Sequence, residues 1–239
     1  IYAIATKYDG NIYIGCRQLD SVIGIGIVRF DGNNWNSFTD NDWEIFDKSN
    51  STLTDFSNID VSSIIVDSSD NVWFGFSWQT TQNILRMVGN NINSPFIQKY
   101  TADNSGINNM KYENGKLVVC HQNTSISLYS SASNNFSTIT NSYSNARDIS
   151  VDSSGNLWVC NDGGLSFYKT STSAWTYAND TNTPAWPNGL NGNSTHFRNN
   201  SCNFIILSGT NKYFGFDAGN SNQYNGGLVK YTGTTFDLS

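Results

Sequence analysis

The residues best suited to chemistry in this chain are a few carboxylates. Asp67 and Asp152 occupy matching positions in two related segments, VDSSDN and VDSSGN, as the ligands of a repeated metal loop would. An Asp in this context also caps a tight turn, because its carboxylate accepts hydrogen bonds from backbone N–H groups. We expect this structural role for both residues, with Asn71 and Gly155 supplying the positive φ that such turns need.

Other metal sites have little support. Histidine occurs only at positions 121 and 196, and no cysteine pair has the spacing of a zinc site. We expect His121 to be a surface residue. The segment 40–60 is acidic, but its spacing fits no EF-hand, so a solvated loop is favoured over calcium binding. We predict no cofactor.

A hydrolytic site would need a pair of carboxylates at the inner ends of strands. Glutamate occurs only at positions 44 and 113, and Asp60 and Asp148 are the acids nearest to predicted inner strand ends. We therefore predict that the protein is not an enzyme, and a glycoside hydrolase or lyase is the minor alternative.

The four cysteines are predicted to be buried thiols. Cys120 and Cys160 occupy the same position in successive copies of a repeated segment, where Gly15, Gly75 and Gly215 stand in the other copies. Equivalent positions in neighbouring units are too far apart for a disulfide bond.

The elements that position these residues are five copies of one unit, each a hydrophobic stretch, a polar turn and a short aromatic-rich strand. The copies run over Tyr8–Gly15, Val66–Gly75, Tyr112–Cys120, Val151–Cys160 and Leu207–Gly215. Such units cannot bury their apolar faces alone and must stack. Tyr13, Trp73 and Trp158 share one position, and their rings are expected to fill the core between neighbouring units.

Each copy extends to four predicted strands. The fourth strands are expected to carry Trp35, Phe96, Phe136, Trp175 and Phe236. Period-2 alternation and the lack of a helical stripe predict an all-β chain. We therefore predict a five-bladed β-propeller with four antiparallel strands per blade, as a single domain spanning 1–239. The predicted blades are 1–60, 61–106, 107–145, 146–200 and 201–239, and closure must rest on packing between first and last blades or on a partner.

These copies resemble the two-component regulator propeller repeat. The fourth copy carries the most complete pattern, with Ile149, Asp152, Gly155, Asn156, Leu157, Trp158, Gly164, Leu165 and Tyr168, and the second shares Ile64, Asp67, Asn71, Trp73 and Gly75. The resemblance implies a ligand-sensing or binding domain of bacteria with no catalytic residues to carry over. Members of the family usually have more than five blades.

Composition removes two classes of partner. The net charge is -6 and the 13 basic residues are scattered, so a nucleic-acid partner is not expected. No apolar run is long enough to span a membrane. Because the chain begins at Ile1, we expect further sequence upstream.

Function is expected at long connections, which are predicted at 17–24, 40–60, 76–83, 178–200 and 216–225 and fall on one face of blades five, one and two. Long loops on a rigid scaffold usually carry binding groups. The predicted ligand-binding residues are Arg17, Asp42, Trp43, Glu44, Trp78, Trp186, His196, Asp217 and Tyr224.

Exposed aromatic and polar side chains suit a glycan or a protein ligand equally. We predict a recognition module that acts outside the bacterial cell, on a cell surface or on a virus particle. The alternative is a structural subunit of a larger surface or virion assembly, which would expose an apolar patch when isolated.

Overall fold

The chain is built from β-strands. A computed structural model describes residues 1–16, 26–32, 43–46, 60–78, 81–89, 98–141, 143, 145–178, 201–216, 227–232 and 236–238. Within these ranges every regular element is a strand. The predicted all-β class is therefore confirmed.

The twenty strands of the described residues form five four-stranded sheets, each made of four consecutive strands in nearest-neighbour order. Sheet 1 contains β1 (Ala3–Thr6), β2 (Ile12–Gly15), β3 (Ile27–Phe30) and β4 (Trp43–Phe46). Sheet 2 contains β5 (Asp60–Val66), β6 (Val72–Ser77), β7 (Ile84–Met87) and β8 (Gln98–Tyr100). Sheet 3 contains β9 (Ile107–Glu113), β10 (Lys116–His121), β11 (Ser125–Ser130) and β12 (Asn135–Thr140). Sheet 4 contains β13 (Ala146–Val151), β14 (Leu157–Asn161), β15 (Gly164–Lys169) and β16 (Ala174–Ala178). Sheet 5 contains β17 (Cys202–Ser208), β18 (Asn211–Phe216), β19 (Gly227–Tyr231) and β20 (Phe236–Leu238).

The fourth strand of sheet 1 differs from its prediction. The sequence pattern assigned this strand to Trp35 and placed Trp43 in a long loop, whereas Trp43–Phe46 forms β4. Trp43 pairs with Phe30 and Phe46 pairs with Ile27 across the ladder to β3, which gives this segment its apolar partners. The predicted loop over 40–60 is therefore wrong at 43–46. Trp35 and Phe96 lie outside the described residues.

The residues group into two compact units. The first unit comprises Ile1–Val119 and Ser127–Thr138, and the second comprises Cys120–Ile126 and Ile139–Ser239. In the first unit, one apolar core joins Tyr13 and Phe46 of sheet 1 to Val61 and Phe74 of sheet 2. A second core joins sheets 2 and 3 around Trp73, with these members: Ile84, Tyr100, Ala102, Ile107, Met110, Leu117 and Val119. In the second unit, Trp158 and neighbouring residues of sheet 4 pack against Ile205, Phe214 and Tyr231 of sheet 5.

The ends of β2 and β6 lie close to the start of the next sheet, which explains the glycines there. A Cβ atom added to Gly15 would lie 2.5 Å from Val61 Cγ1, and one added to Gly75 would lie 2.8 Å from Ile107 Cγ2. These contacts leave no room for a side chain, because protein cores are close-packed. Sequential sheets therefore stack face to face at these positions in the first unit.

The same position in sheet 4 carries a disulfide bond. Cys160, near the end of β14, is bonded to Cys202, the first residue of β17. The prediction of buried thiols is wrong for this pair. That prediction considered only cysteines at equivalent positions of successive repeats. The bonded sulfur atoms are at different positions of the repeat, and they meet because the end of β14 lies beside the start of β17. Cys120 is a buried thiol and Cys16 a half-buried one.

His121 also departs from its prediction. It is fully buried, since β10 continues through Cys120 and includes it. The expected surface position is therefore wrong. No helix in the described part of the chain is long and apolar enough to cross a membrane.

Candidate functional site

The polar turn between β5 and β6 is organised by Asp67. Its Oδ1 accepts hydrogen bonds from the backbone N–H groups of Ser69 (2.9 Å) and Asn71 (3.0 Å). Its Oδ2 accepts from Asn71 Nδ2 (2.9 Å) and from Trp73 Nε1 (2.8 Å). Burial alone would raise the pKa of Asp67, but the hydrogen bonds from Asn71 and Trp73 outweigh it and hold the pKa below its ordinary value. One carboxylate thus joins the turn to the core indole.

The corresponding turn of sheet 4 repeats this arrangement. Asp152 Oδ1 accepts from the backbone of Ser154 and Asn156, and its Oδ2 accepts from Trp158 Nε1 at 3.1 Å. Gly155 supplies positive φ, at 79°. In sheet 2 the positive φ of 61° belongs to Asp70, so the expectation that Asn71 would adopt it is wrong.

The predicted core aromatics are almost fully buried. Tyr13, Trp73 and Trp158 are 0%, 1% and 3% exposed. Trp73 is surrounded by other rings, with Tyr129 edge-on at 4.8 Å and Tyr100 at 5.6 Å between ring centroids. The Arg86 guanidinium lies 5.2 Å from the centroid of the Trp73 ring, within cation–π range.

A cleft opens beside this aromatic cluster in the first unit. It has a volume of about 450 Å³ and is lined by Asp67, Ser68, Ser69, Trp73, Arg86, Gln98, Tyr112, Gly115, Leu117, Tyr129, Ser131 and Asn134. We call it the Arg86 cleft. Volumes of about 300–1,000 Å³ are typical of small-molecule sites.

The walls of the Arg86 cleft carry linked hydroxyl and amide groups. Ser68 Oγ and the Tyr112 hydroxyl are 2.6 Å apart. The Tyr129 hydroxyl donates to Asn134 Oδ1 at 2.7 Å. The hydroxyl of Tyr100, which is not a lining residue, donates to the same Asn134 oxygen at 2.8 Å, and burial raises the pKa of Tyr100 to about 12. The cleft therefore offers neutral donors and acceptors on two sides.

Arg86 is the cation of this cleft. Its Nη1 donates to Gln98 Oε1 at 3.3 Å and to the Tyr129 hydroxyl at 3.4 Å, both long contacts. Its Nε is buried and has no hydrogen-bond partner among the described residues. None of the ion pairs between described residues includes Arg86.

Two predicted ligand-binding residues lie within sheet 1. Trp43 packs against Phe30 with ring centroids 4.5 Å apart. Glu44 pairs with Arg29, with 2.9 Å between Oε2 and Nη2. Both residues are half-buried and contribute to β4.

Trp78 is the third predicted ligand-binding residue that can be placed. It follows β6 with φ of 64° and is 63% exposed. It lines a hollow of about 60 Å³ with Tyr2, Asp60, Val61 and Ser77, so neither Trp43 nor Glu44 shares it. The remaining predicted residues lie outside the described ranges: Arg17, Asp42, Trp186, His196, Asp217 and Tyr224. The recognition surface at the long loops stays a prediction.

The sequence did carry a signal for the Arg86 cleft. Arg29 and Arg86 occupy the same place in their repeats, opposite Tyr13 and Trp73 in the neighbouring strand. The residue paired with the arginine on the fourth strand is Glu44 in sheet 1 but Gln98 in sheet 2. The shared position of the two arginines is visible in the sequence, whereas their different fourth-strand partners are known only from the strand pairing.

In the described ranges, no group of three or more His, Cys, Asp or Glu side chains is placed to hold a metal ion. Asp148, one of the acids considered for hydrolysis, is buried and accepts hydrogen bonds from the backbone N–H groups of Ile149 and Ile205.

Comparison with known proteins gives a fold and no family. No protein-family model and no curated protein matches the chain. Among solved structures, the chain is similar to the extracellular domain of a hybrid two component system of B. thetaiotaomicron, with TM-score 0.63 and 14% identity over 95% of this chain and 26% of that one.

Two further structures cover the whole chain. The RRP9 WD40 repeats match with TM-score 0.65 at 10% identity over 63% of that chain. YCF48 bound to D1 peptide matches with TM-score 0.57 at 12% identity over 66% of that chain. The chain thus spans less than two thirds of the length of each structure. At these identities the likeness shows a propeller-like, all-β repeat fold alone.

Proposed function

We propose that this chain is a non-catalytic recognition module of propeller type, and that its ligand binds in the Arg86 cleft. The observation that carries the proposal is a 450 Å³ cleft whose walls combine neutral hydroxyl and amide groups with one arginine that has no acidic partner among the described residues. Concave sites with a few convergent polar groups are the usual form of a ligand pocket.

The scaffold in this proposal is a closed five-bladed ring. The stacking of sheet 1 on sheet 2 and of sheet 2 on sheet 3 supports it, as do the propeller-like neighbours. A rigid ring holds the two walls of a cleft at fixed separation, which lowers the entropic cost of binding.

The proposed location is extracellular. A disulfide bond between Cys160 and Cys202 favours an oxidising compartment, because cytosolic proteins keep their thiols reduced. A structural neighbour that is itself an extracellular domain is consistent with this location.

Two ligand classes follow from the cleft and its neighbours. A glycan is supported by the hydroxyl and amide lining of the cleft. A protein or peptide is supported by the structure of YCF48, a propeller-like neighbour, with a bound peptide.

The experiment is a parallel screen of the chain on a glycan array and in pull-downs from extracellular extracts, each repeated with Tyr112→Ala and Tyr129→Ala. A ligand that is captured by the unaltered chain and lost with both variants supports the proposal. Turnover of a polysaccharide, or capture that is indifferent to both variants, would overturn it.

A second candidate is a structural subunit of a larger assembly. It is favoured by the exposed apolar residues at the start of sheet 1, where Ile1, Tyr2 and Ile4 are 84%, 61% and 61% exposed. Large exposed apolar patches are typical of docking faces, and these three residues are candidates for one.

A further inference from the structure

We infer that the Arg86 cleft recognises a sugar that carries a carboxylate group, such as a uronic or sialic acid residue, and that Arg86 is the residue that selects the carboxylate. This inference rests on the proposed function, since it names the ligand class of the same cleft. It is carried by a comparison between two equivalent arginines of the chain.

The comparison isolates the charge of Arg86. Arg29 and Arg86 both stand opposite a core aromatic residue and both have a fourth-strand neighbour across the ladder. Glu44 neutralises Arg29 at 2.9 Å, whereas Gln98 offers Arg86 only a neutral amide oxygen at 3.3 Å. Buried charged groups seldom lack a partner, and the buried Nε of Arg86 has none among the described residues.

The guanidinium is also held in place for a ligand. The indole of Trp73, itself 1% exposed, supports Arg86 at 5.2 Å, and the phenol of Tyr129 touches its Nη1. The Nε of Arg86 is buried and has no hydrogen-bond partner among the described residues. The planar fork of an arginine matches the two oxygens of a carboxylate, and a pre-positioned fork loses less entropy on binding.

Asp67 sets where in the cleft a carboxylate can bind. Its oxygens are occupied by the donors of its own turn, yet its charge remains in the lining. The charge of Asp67 repels a ligand carboxylate and that of Arg86 attracts it, so the carboxylate belongs on the guanidinium, and the hydroxyls of Ser68 and Tyr112 are left for the hydroxyl groups of the ligand.

The neutral lining favours a sugar over other anions. Ser68, Ser131, Asn134 and the two phenols of Tyr112 and Tyr129 offer the mixed donors and acceptors that sugar hydroxyls require. Both tyrosine rings are half-buried and can contact the C–H face of a sugar ring. A phosphate group would call for several cations, and an acidic peptide for a strand edge or apolar side-chain pockets.

The test measures binding of three acidic probes, digalacturonate, a glucuronate-containing disaccharide and sialyllactose, each against its neutral counterpart. Titration calorimetry gives the affinities, and the Arg86 Nε–H resonance in NMR spectra reports contact at the site. We expect at least one acidic probe to bind about tenfold or more tightly than its neutral counterpart, the size expected for hydrogen bonds to a charged group.

Three variants separate charge from fold. Arg86→Gln should abolish the preference for the acidic sugar. Gln98→Glu should also abolish the preference for the acidic sugar, because it gives Arg86 an acidic partner like that of Arg29. Since this variant adds an ion pair, it should fold. Lys169→Gln, at an exposed site and with the same charge change as Arg86→Gln, should leave binding unchanged.

The outcomes distinguish this inference from the proposed function. Equal binding of acidic and neutral sugars, or full acidic preference in Gln98→Glu, overturns the role of Arg86 while the recognition module stands. The inference also fails, with the proposed function intact, if no acidic probe binds but the screen yields another ligand that Tyr112→Ala and Tyr129→Ala abolish, such as an acidic peptide. If neither experiment yields a ligand of the cleft, both proposals fail.

Discussion

The recurring aspartates give the clearest relation between single residues and the fold. Asp67 and Asp152 each accept two backbone N–H groups and the indole N–H of a core tryptophan. A buried indole N–H without an acceptor would cost about 1–3 kcal/mol, so the same carboxylate that shapes the turn also allows the tryptophan to be buried. Asp and Trp therefore recur together for one physical reason.

The first prediction concerns Asp67→Asn. The amide of the variant puts an NH2 group where the carboxylate accepts hydrogen bonds from the turn and from Trp73, so at least one of these N–H groups loses its acceptor. We therefore expect the free energy of unfolding to fall by about 1–3 kcal/mol at pH 7. The folded pKa of Asp67 is depressed, so its contribution is present above the unfolded pKa and is lost as the pH falls through the folded value. Urea denaturation from pH 7 to pH 3 should show wild type and variant converging in acid. A difference that stays constant with pH would contradict this account.

The second prediction concerns Gly75→Ala. The new methyl group would lie 2.8 Å from Ile107 Cγ2 and 3.2 Å from Met110 Cε, so overpacking should cost about 1–3 kcal/mol. The control is a double-mutant cycle with Ile107→Ala, which removes the opposing methyl group. If Gly75→Ala costs the same in both backgrounds, the close approach of sheets 2 and 3 is not the cause.

At the scale of elements, most of the architecture follows from the sequence. Five repeats with period-2 alternation predict five four-stranded sheets, because successive side chains of a strand point to opposite faces of its sheet. The fourth strand of sheet 1 was missed because the acidic residues around Trp43 and Glu44 make the segment look solvated. Their partners, Phe30 and Arg29, lie across the ladder and become visible only once the pairing is known.

The candidate site was the part that sequence alone did not reveal. An arginine at an alternate position of a strand is most simply explained as part of a solvated face. What makes Arg86 unusual is the pairing of a neutral Gln98 with it and the placement of Tyr112 and Tyr129 from sheet 3 around it, and these depend on register and on sheet stacking. The disulfide bond was missed for the same reason, since it joins two successive sheets.

The third prediction tests that bond between sheets 4 and 5. Cys160 and Cys202 close a loop with a sequence separation of 42 residues. Replacing both with serine should lower the free energy of unfolding by about 2–4 kcal/mol through the larger entropy of the unfolded chain. Guanidinium denaturation of the double variant checks this, with Cys16→Ser as the control. Wild type treated with reductant should match the double variant; if reduction has no effect, the bond contributes nothing to stability.

At the scale of the whole molecule, the two faces of sheet 1 differ in solvent exposure: one packs on sheet 2, and the other exposes Ile4. Ile4 and Ile64 occupy equivalent places in β1 and β5, paired with Ile14 and Phe74 of the following strand. Ile64 is 6% exposed and lies beside Gly15 of the preceding sheet, whereas Ile4 is 61% exposed. A repeat protein normally covers or polarises such a terminal face.

The last prediction follows from that face. If the ring closes by packing of another sheet on β1, Ile4→Glu buries an unpaired charge and should lower the free energy of unfolding by more than about 2 kcal/mol. Tyr8→Glu, at a turn residue that is 84% exposed, is the matched control and should be nearly neutral. Denaturation combined with sedimentation of both variants checks this. A monomeric Ile4→Glu variant as stable as wild type would mean that solvent covers the face, and a wild-type dimer that Ile4→Glu dissociates would favour the structural-subunit candidate over ring closure.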